Sequence, residues 1–144
     1  MIRILAVGKM KDKRLAELTA DYLRRLRPLA PVEVIEIRDA GPEKEGRELV
    51  AKAGKTGADH PVIALDEHGE DLTSVEFSQL LSEHASPVFL IGGPDGLTGE
   101  VFERATRRVR LSAMTWTHEM ARMLLTEQIY RGLSILRGKP YHRP

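Results

Sequence analysis

Five consecutive residues near the end of the chain, Lys139-Pro140-Tyr141-His142-Arg143, set two cations, an imidazole and a phenol beside a proline that limits backbone freedom. No acidic side chain follows Glu127, whereas Arg131, Arg137, Lys139 and Arg143 do, so this end of the chain is locally cationic. Such a group suits an anionic ligand, and His142 is the residue in it that titrates near neutrality and can move a proton. A frayed terminus is the plain alternative. A second cationic run, RATRRVR, holds Arg104, Arg107, Arg108 and Arg110, and the two runs together predict one positive face on the molecule.

Three further stretches have the composition of ligand loops. In LIGGPDGLTG, Gly92 and Gly93 let bare backbone approach a ligand, and Pro-Asp-Gly is a turn signal. No Lys-Ser/Thr pair follows, so this is not a phosphate loop, and it lacks the dinucleotide G-x-G-x-x-G spacing. In LSAMTWTHEM, small and apolar residues lead into a turn before a long helix, a loop fit to close over a flat ligand such as an adenine nucleoside. In ALDEHGED, Asp66, Glu67 and His68 are ligand types, but three consecutive residues do not readily converge on one ion. That stretch reads as a strand end and turn, with no metal.

These loops need elements to hold them. IRILAVG, VEVIEI, PVIALD, PVFLIGG and RVRLS read as strands, with VEVIEI alternating as an edge strand does and PVFLIGG apolar enough to be buried on both faces. Helical patterns lie between them: Lys11 to Arg27, PEKEGRELVAKAGK, LTSVEFSQLLSEH with Thr73 and Glu76 as a capping box, and a short one near GEVFERAT. A long helix spans about His118 to Leu136. Strands alternating with helices make the class α/β with a mostly parallel sheet, in a single domain over residues 1–144. Ligands of such sheets bind beyond the carboxyl ends of the strands, where all three loops fall. The last helix is apolar over more than half its circumference, wider than one sheet face requires, which predicts a second copy of the chain as partner, with Ile129 and Leu133 as interface candidates.

Bulk composition sets limits. The chain has 144 residues, 42% hydrophobic and 30% charged, with a net charge of +1, so global charge does not mark a nucleic-acid binder. There is no cysteine, which removes disulfides and thiolate chemistry. No apolar run reaches a membrane span and no signal peptide is evident, so a cytoplasmic protein is expected.

ILAVGK, IALD, FLIGGPDGL and LSAMTWTHEMARMLLTEQIYRGLSILRGKPYHR, in that order and spacing, resemble the RlmH family of knotted, SPOUT-class methyltransferases. The resemblance runs the length of the chain. It implies a C-terminal trefoil knot, S-adenosylmethionine bound in a bent form, and a homodimer. It also implies that the substrate is 23S ribosomal RNA in the assembled ribosome, methylated at N3 of a pseudouridine in helix 69. Cofactor contacts carried over from the family fall on Leu65, Gly92, Leu111, Ser112, Ala113, Met114, Thr115 and Trp116. The C-terminal segment would lie by the active site near the dimer interface, with Lys139, Tyr141 and Arg143 toward the RNA.

Methylation at N3 displaces a proton. In this reading His142 takes it, and Arg143 stabilises the anionic oxygens of the base. The family commonly has proline where this chain has Thr117, so a freer cofactor loop is expected. Two rivals remain in view: a non-catalytic RNA-binding module, which leaves IGG and LSAMTW without a task, and a nucleotide hydrolase, which the missing phosphate-loop lysine opposes.

Overall fold

The computed structural model describes residues 1–54 and 60–144. Five strands form one sheet: β1 (Ile2–Val7), β2 (Val32–Ile37), β3 (Val62–Asp71), β4 (Val88–Ile91) and β5 (Arg107–Arg110). Their order is β2-β1-β4-β3-β5 and every pairing is parallel. Five helices alternate with them: α1 (Lys13–Leu26), α2 (Pro42–Ala53), α3 (Ser74–Glu83), α4 (Gly99–Arg104) and α5 (His118–Leu136).

Strand periodicity divides the core in two. Ile2, Ile4 and Ala6 of β1, with Phe89 and Ile91 of β4, face α1, α3 and α5. Leu5 and Val7 of β1, with Val88 and Leu90 of β4, face α2 and α4. β4 is therefore buried on both sides, and β2 is a wet edge with Glu33 exposed, as their patterns predict. The predicted capping box at Thr73 is complete: Thr73 Oγ1 accepts from the Glu76 N–H at 3.1 Å, and Glu76 Oε2 accepts from the Thr73 N–H at 2.8 Å.

Two expectations need correction. The first concerns α5. Part of its wide apolar surface is taken up within the chain, where α1 and α3 flank it while it covers the sheet, whereas Leu136 stays 44% exposed and Leu124, Leu133 and Ile135 are half-buried. Ile129 is 0% exposed and belongs to the core, so it is not an interface residue, and Leu133 packs against the same core. Gly132 lets the two helices close up, since a Cβ there would lie 2.8 Å from Leu81 Cδ1 and 3.4 Å from Ser78 Cα. Counting helices along the sequence underestimates how much of α5 two neighbours can cover.

The second concerns the arginines of β5. They do not form an open positive face. Arg107 forks onto Glu70 at 3.0 and 3.1 Å, Arg110 forks onto Asp71, and Arg108 pairs with Asp66 at 3.2 Å. The guanidiniums hold the Glu70 and Asp71 carboxyls below their usual range, chiefly through those hydrogen bonds. Parallel pairing of β3 with β5 brings the acids of one strand beside the cations of the other.

Candidate functional site

All five strands point the same way, so the loops after β1, β3, β4 and β5 collect at one edge of the sheet. Between them lies a cleft of about 1050 Å³. Leu65, Gly92, Leu111, Ser112, Met114, Thr115 and Trp116 all line it, although they are scattered over the sequence. Ala113 is exposed and does not line it. A smaller apolar recess of about 190 Å³ adjoins, sharing Leu65, Arg110, Leu111 and Trp116.

The ALDEHGED stretch is not the turn that its composition suggests. β3 continues to Asp71, and both Leu65 and Glu70 pair with Val109 of β5. The residues between them form a bulge, and Asp66, Glu67 and His68 line the cleft from it. A pattern of period two gives no sign of this, because the strand resumes after the interruption. Among the described residues, no three His, Cys, Asp or Glu side chains gather as a metal site.

Gly92, which lines the cleft, also makes room within the chain. A Cβ there would lie 2.9 Å from the backbone carbon and oxygen of Gly96 and 3.0 Å from Leu97 Cδ2. The missing side chain makes room for the chain's own turn, which closes through the Gly96 N–H donating to Gly93 O at 3.0 Å. Gly96, with φ of 80°, supplies the left-handed residue that the turn needs.

Ser112 organises the loop between β5 and α5. Its Oγ accepts from the Met114 N–H and from the Trp116 indole N–H, both at 3.0 Å, and donates to Met114 O at 3.2 Å. Met114 and Trp116, 74% and 42% exposed, thereby stand as apolar walls of the cleft. Glu67 and Asp95 also line the cleft with carboxylates, and Glu67 Oε2 lies 3.5 Å from the Thr115 hydroxyl of the same loop.

Thr117 ends this loop, and the loop is not left slack. Its hydroxyl oxygen accepts from the Met120 N–H at 3.3 Å as the N-cap of α5. Its φ of −63° is also the value that proline imposes, and its own N–H donates no hydrogen bond among the described residues. Thr117→Ala should therefore cost about 1 kcal/mol in urea unfolding through the lost cap. Thr117→Pro should be nearly neutral, because a stiffer unfolded chain returns about 0.4–1 kcal/mol.

The C-terminal segment is ordered against the protein but lies apart from the cleft. Tyr141 is packed, not frayed: its hydroxyl donates to Glu127 Oε1 at 2.8 Å and accepts from the Tyr22 hydroxyl at 2.9 Å, and its ring meets Tyr130 edge-on. Burial, then the hydrogen bonds to Tyr22 and Glu127, push the phenol's pKa up, so it stays protonated. Glu127 Oε1 also accepts from Arg131 Nε and Nη2, at 3.0 and 2.7 Å. Arg131 Nη1 lies 3.0 Å from His142 Nδ1. A guanidinium only donates, so Nδ1 accepts and the ring proton sits on Nε2. Lys139 and Arg143 are exposed and pair with no carboxylate among the described residues.

α5 separates the two groups. His118 lines the cleft, and the helix runs about 27 Å to Leu136 at 1.5 Å per residue. The segment folds back beside Glu127 and Arg131, which lie about 14 to 20 Å along α5 from that end. Tyr22, Glu127 and Arg131 thus join a cluster of which the sequence shows only the last part. The i,i+4 spacing of Glu127 and Arg131 is the one signal that marks them.

The parallel sheet and the cleft at its carboxyl edge define an α/β protein with a ligand-sized cleft walled by loops. The chain belongs to the SPOUT methyltransferase family: residues 1–142 match the family model described as "Predicted SPOUT methyltransferase". The α/β fold with a C-terminal trefoil knot is the fold of that family. Three proteins called ribosomal RNA large subunit methyltransferase H are similar over nearly their whole length. The one from Carboxydothermus hydrogenoformans is 41% identical, with 99% of each chain covered. That from Prochlorococcus marinus is 43% identical, covering 98% of this chain and 94% of its own. That from Anaeromyxobacter dehalogenans is 39% identical, with 99% of each covered. Among the described residues, no helix is long and apolar enough to cross a membrane.

Proposed function

We propose that this protein transfers a methyl group from S-adenosylmethionine to large-subunit ribosomal RNA. The proposed acceptor is N3 of a pseudouridine in helix 69 of 23S rRNA, in the cytoplasm and on assembled ribosomes. The observation that carries the reading is the convergence of Leu65, Gly92 and the loop 111–116, apart from Ala113, on one cleft. The names of the similar proteins support ribosomal RNA as substrate.

The cleft suits this cofactor chemically. Leu65, Leu111 and Trp116 border both the cleft and the apolar recess, which fits a purine. Glu67 and Asp95 offer negative charge to the cationic sulfonium and amino groups. When bound, the cofactor supplies an activated methyl group. The chain's own work is to hold the acceptor in line, exclude competing water and lower the cost of charge on the base as N3 loses its proton.

His142 and Arg143 are the groups proposed for that last task. Because Nδ1 accepts from Arg131, His142 presents an N–H at Nε2, which suits donation to an anionic base oxygen better than proton abstraction. Arg143 adds an exposed positive charge. One chain does not bring these groups to its own cleft, so a homodimer in which each copy brings its C-terminal segment to the other's cleft completes the site. Lys139 and Arg143 then meet RNA, and Tyr141 acts by packing.

Labelled-methyl transfer to ribosomes lacking the modification, read by nucleoside mass spectrometry, tests the reading. A 3-methylpseudouridine product is expected. Tight RNA binding with no cofactor binding in calorimetry would instead identify a non-catalytic module.

A further inference from the structure

The loop joining β1 to α1, together with the first turn of α1, carries cations that neither the cleft nor the C-terminal cluster uses. Lys9, Lys11, Lys13 and Arg14 are all exposed. Arg14 pairs with Asp12 at 3.1 Å, but the three lysines pair with no carboxylate among the described residues. The nearby acids are engaged elsewhere. Asp12 Oδ1 accepts from the N–H groups of Arg14 and Leu15, at 2.9 and 3.2 Å. Glu119 Oε1 accepts from those of Lys11 and Asp12, at 2.8 and 3.0 Å.

The loop is also held in place. Arg122 Nη1 donates to Gly8 O at 3.3 Å and pairs with Glu36 at 2.8 Å, and Glu119 grips the other end of the loop. Both clamps come from the first turns of α5, so the loop is tied to the element that borders the cleft. Asp12, Leu15 and Glu119 themselves line that cleft, which puts the lysines at its rim.

We infer that this loop is a docking surface for the phosphate backbone of RNA, placed at the mouth of the cleft. The inference rests on the ribosomal RNA substrate proposed above. Unpaired lysines on flexible stems bind phosphates as point charges and position a nucleic acid without reading its bases. A backbone clamped beforehand loses little freedom on binding. The Glu67 and Asp95 carboxylates that line the cleft repel phosphate, and the β5 arginines are taken up by their own carboxylates. The lysine loop is therefore a cationic approach to the cleft that one chain supplies by itself.

The test measures binding to labelled ribosomes that lack the modification while monovalent salt rises from about 50 to about 200 mM. Lys9→Ala/Lys11→Ala/Lys13→Ala is compared with the wild type and with Lys44→Ala/Arg47→Ala/Lys52→Ala, which removes three exposed cations from α2 on the opposite layer. For the loop variant, affinity at low salt should fall about tenfold or more, and the log–log salt slope should flatten by about 2. The α2 variant should match the wild type, and calorimetry should give all three the same S-adenosylmethionine affinity. Equal losses in both triple variants, or a loop variant that binds and titrates like the wild type, would overturn the inference and leave the substrate reading standing. A wild type that neither binds nor methylates ribosomal RNA would remove the substrate reading, and this inference with it.

Discussion

Removing Tyr141 to Pro144 is expected to lower methyl transfer about 10³-fold or more while leaving S-adenosylmethionine affinity unchanged. Affinity is spared because none of the four residues lines the cleft. Turnover is lost because the proposed donors to the base, His142 and Arg143, go together. The deletion also removes the Tyr141 hydroxyl from Glu127 and Tyr22 and its ring from Tyr130, so a stability loss of about 1–2 kcal/mol accompanies it. Assays belong well below the melting transition, where that loss leaves the chain folded.

Single changes then divide the roles within the segment. His142→Gln keeps an N–H donor but has no ionisation near neutral pH. If His142 donates, the Gln variant should stay within about tenfold of wild type, with an unchanged pH–rate profile, and Ala should fall about 10²-fold. Equal losses for Gln and Ala, together with a vanished ionisation near pH 7, would return His142 to the role of base. Unaltered turnover in the full deletion would assign the segment to packing alone.

The second large effect is expected at Gly92. Gly92→Val should weaken S-adenosylmethionine binding about 100-fold, the effect of roughly 2–3 kcal/mol at the cleft wall. The cause is indirect. The added Cβ meets the Gly96 backbone at 2.9 Å, so the turn from Gly93 to Gly96 must shift, and that turn is one side of the cleft. Overpacking of this kind costs about 1–3 kcal/mol in stability as well, readable as a lower urea midpoint with the same slope. Gly92→Ala already introduces the same Cβ and should show most of the affinity loss. A folded Ala variant with wild-type affinity would detach this turn from the cofactor site.

The sequence by itself determined the succession of strands and helices, the parallel class of the sheet and the loops that line the cleft. Those features are written in local patterns: the unbroken apolar run of Val88–Ile91, the alternation of Val32–Ile37 and the capping box at Thr73. Motif order also pointed to the family, since IGGPDG, LSAMT, EQIYR and PYHR keep their spacing along the chain. Only the tertiary structure decided which charges remain free. RATRRVR and Lys9-Met10-Lys11 are both cationic runs, yet β3 pairing neutralises Arg107, Arg108 and Arg110 of the first, while backbone amides occupy the acids near the second. Tertiary structure also decided what Gly92 makes room for, where Asp66 to His68 bulge, and how far the C-terminal cluster stands from the cleft. Each of these depends on residues distant in the chain meeting across a strand pair or along a helix, and no local period records such meetings.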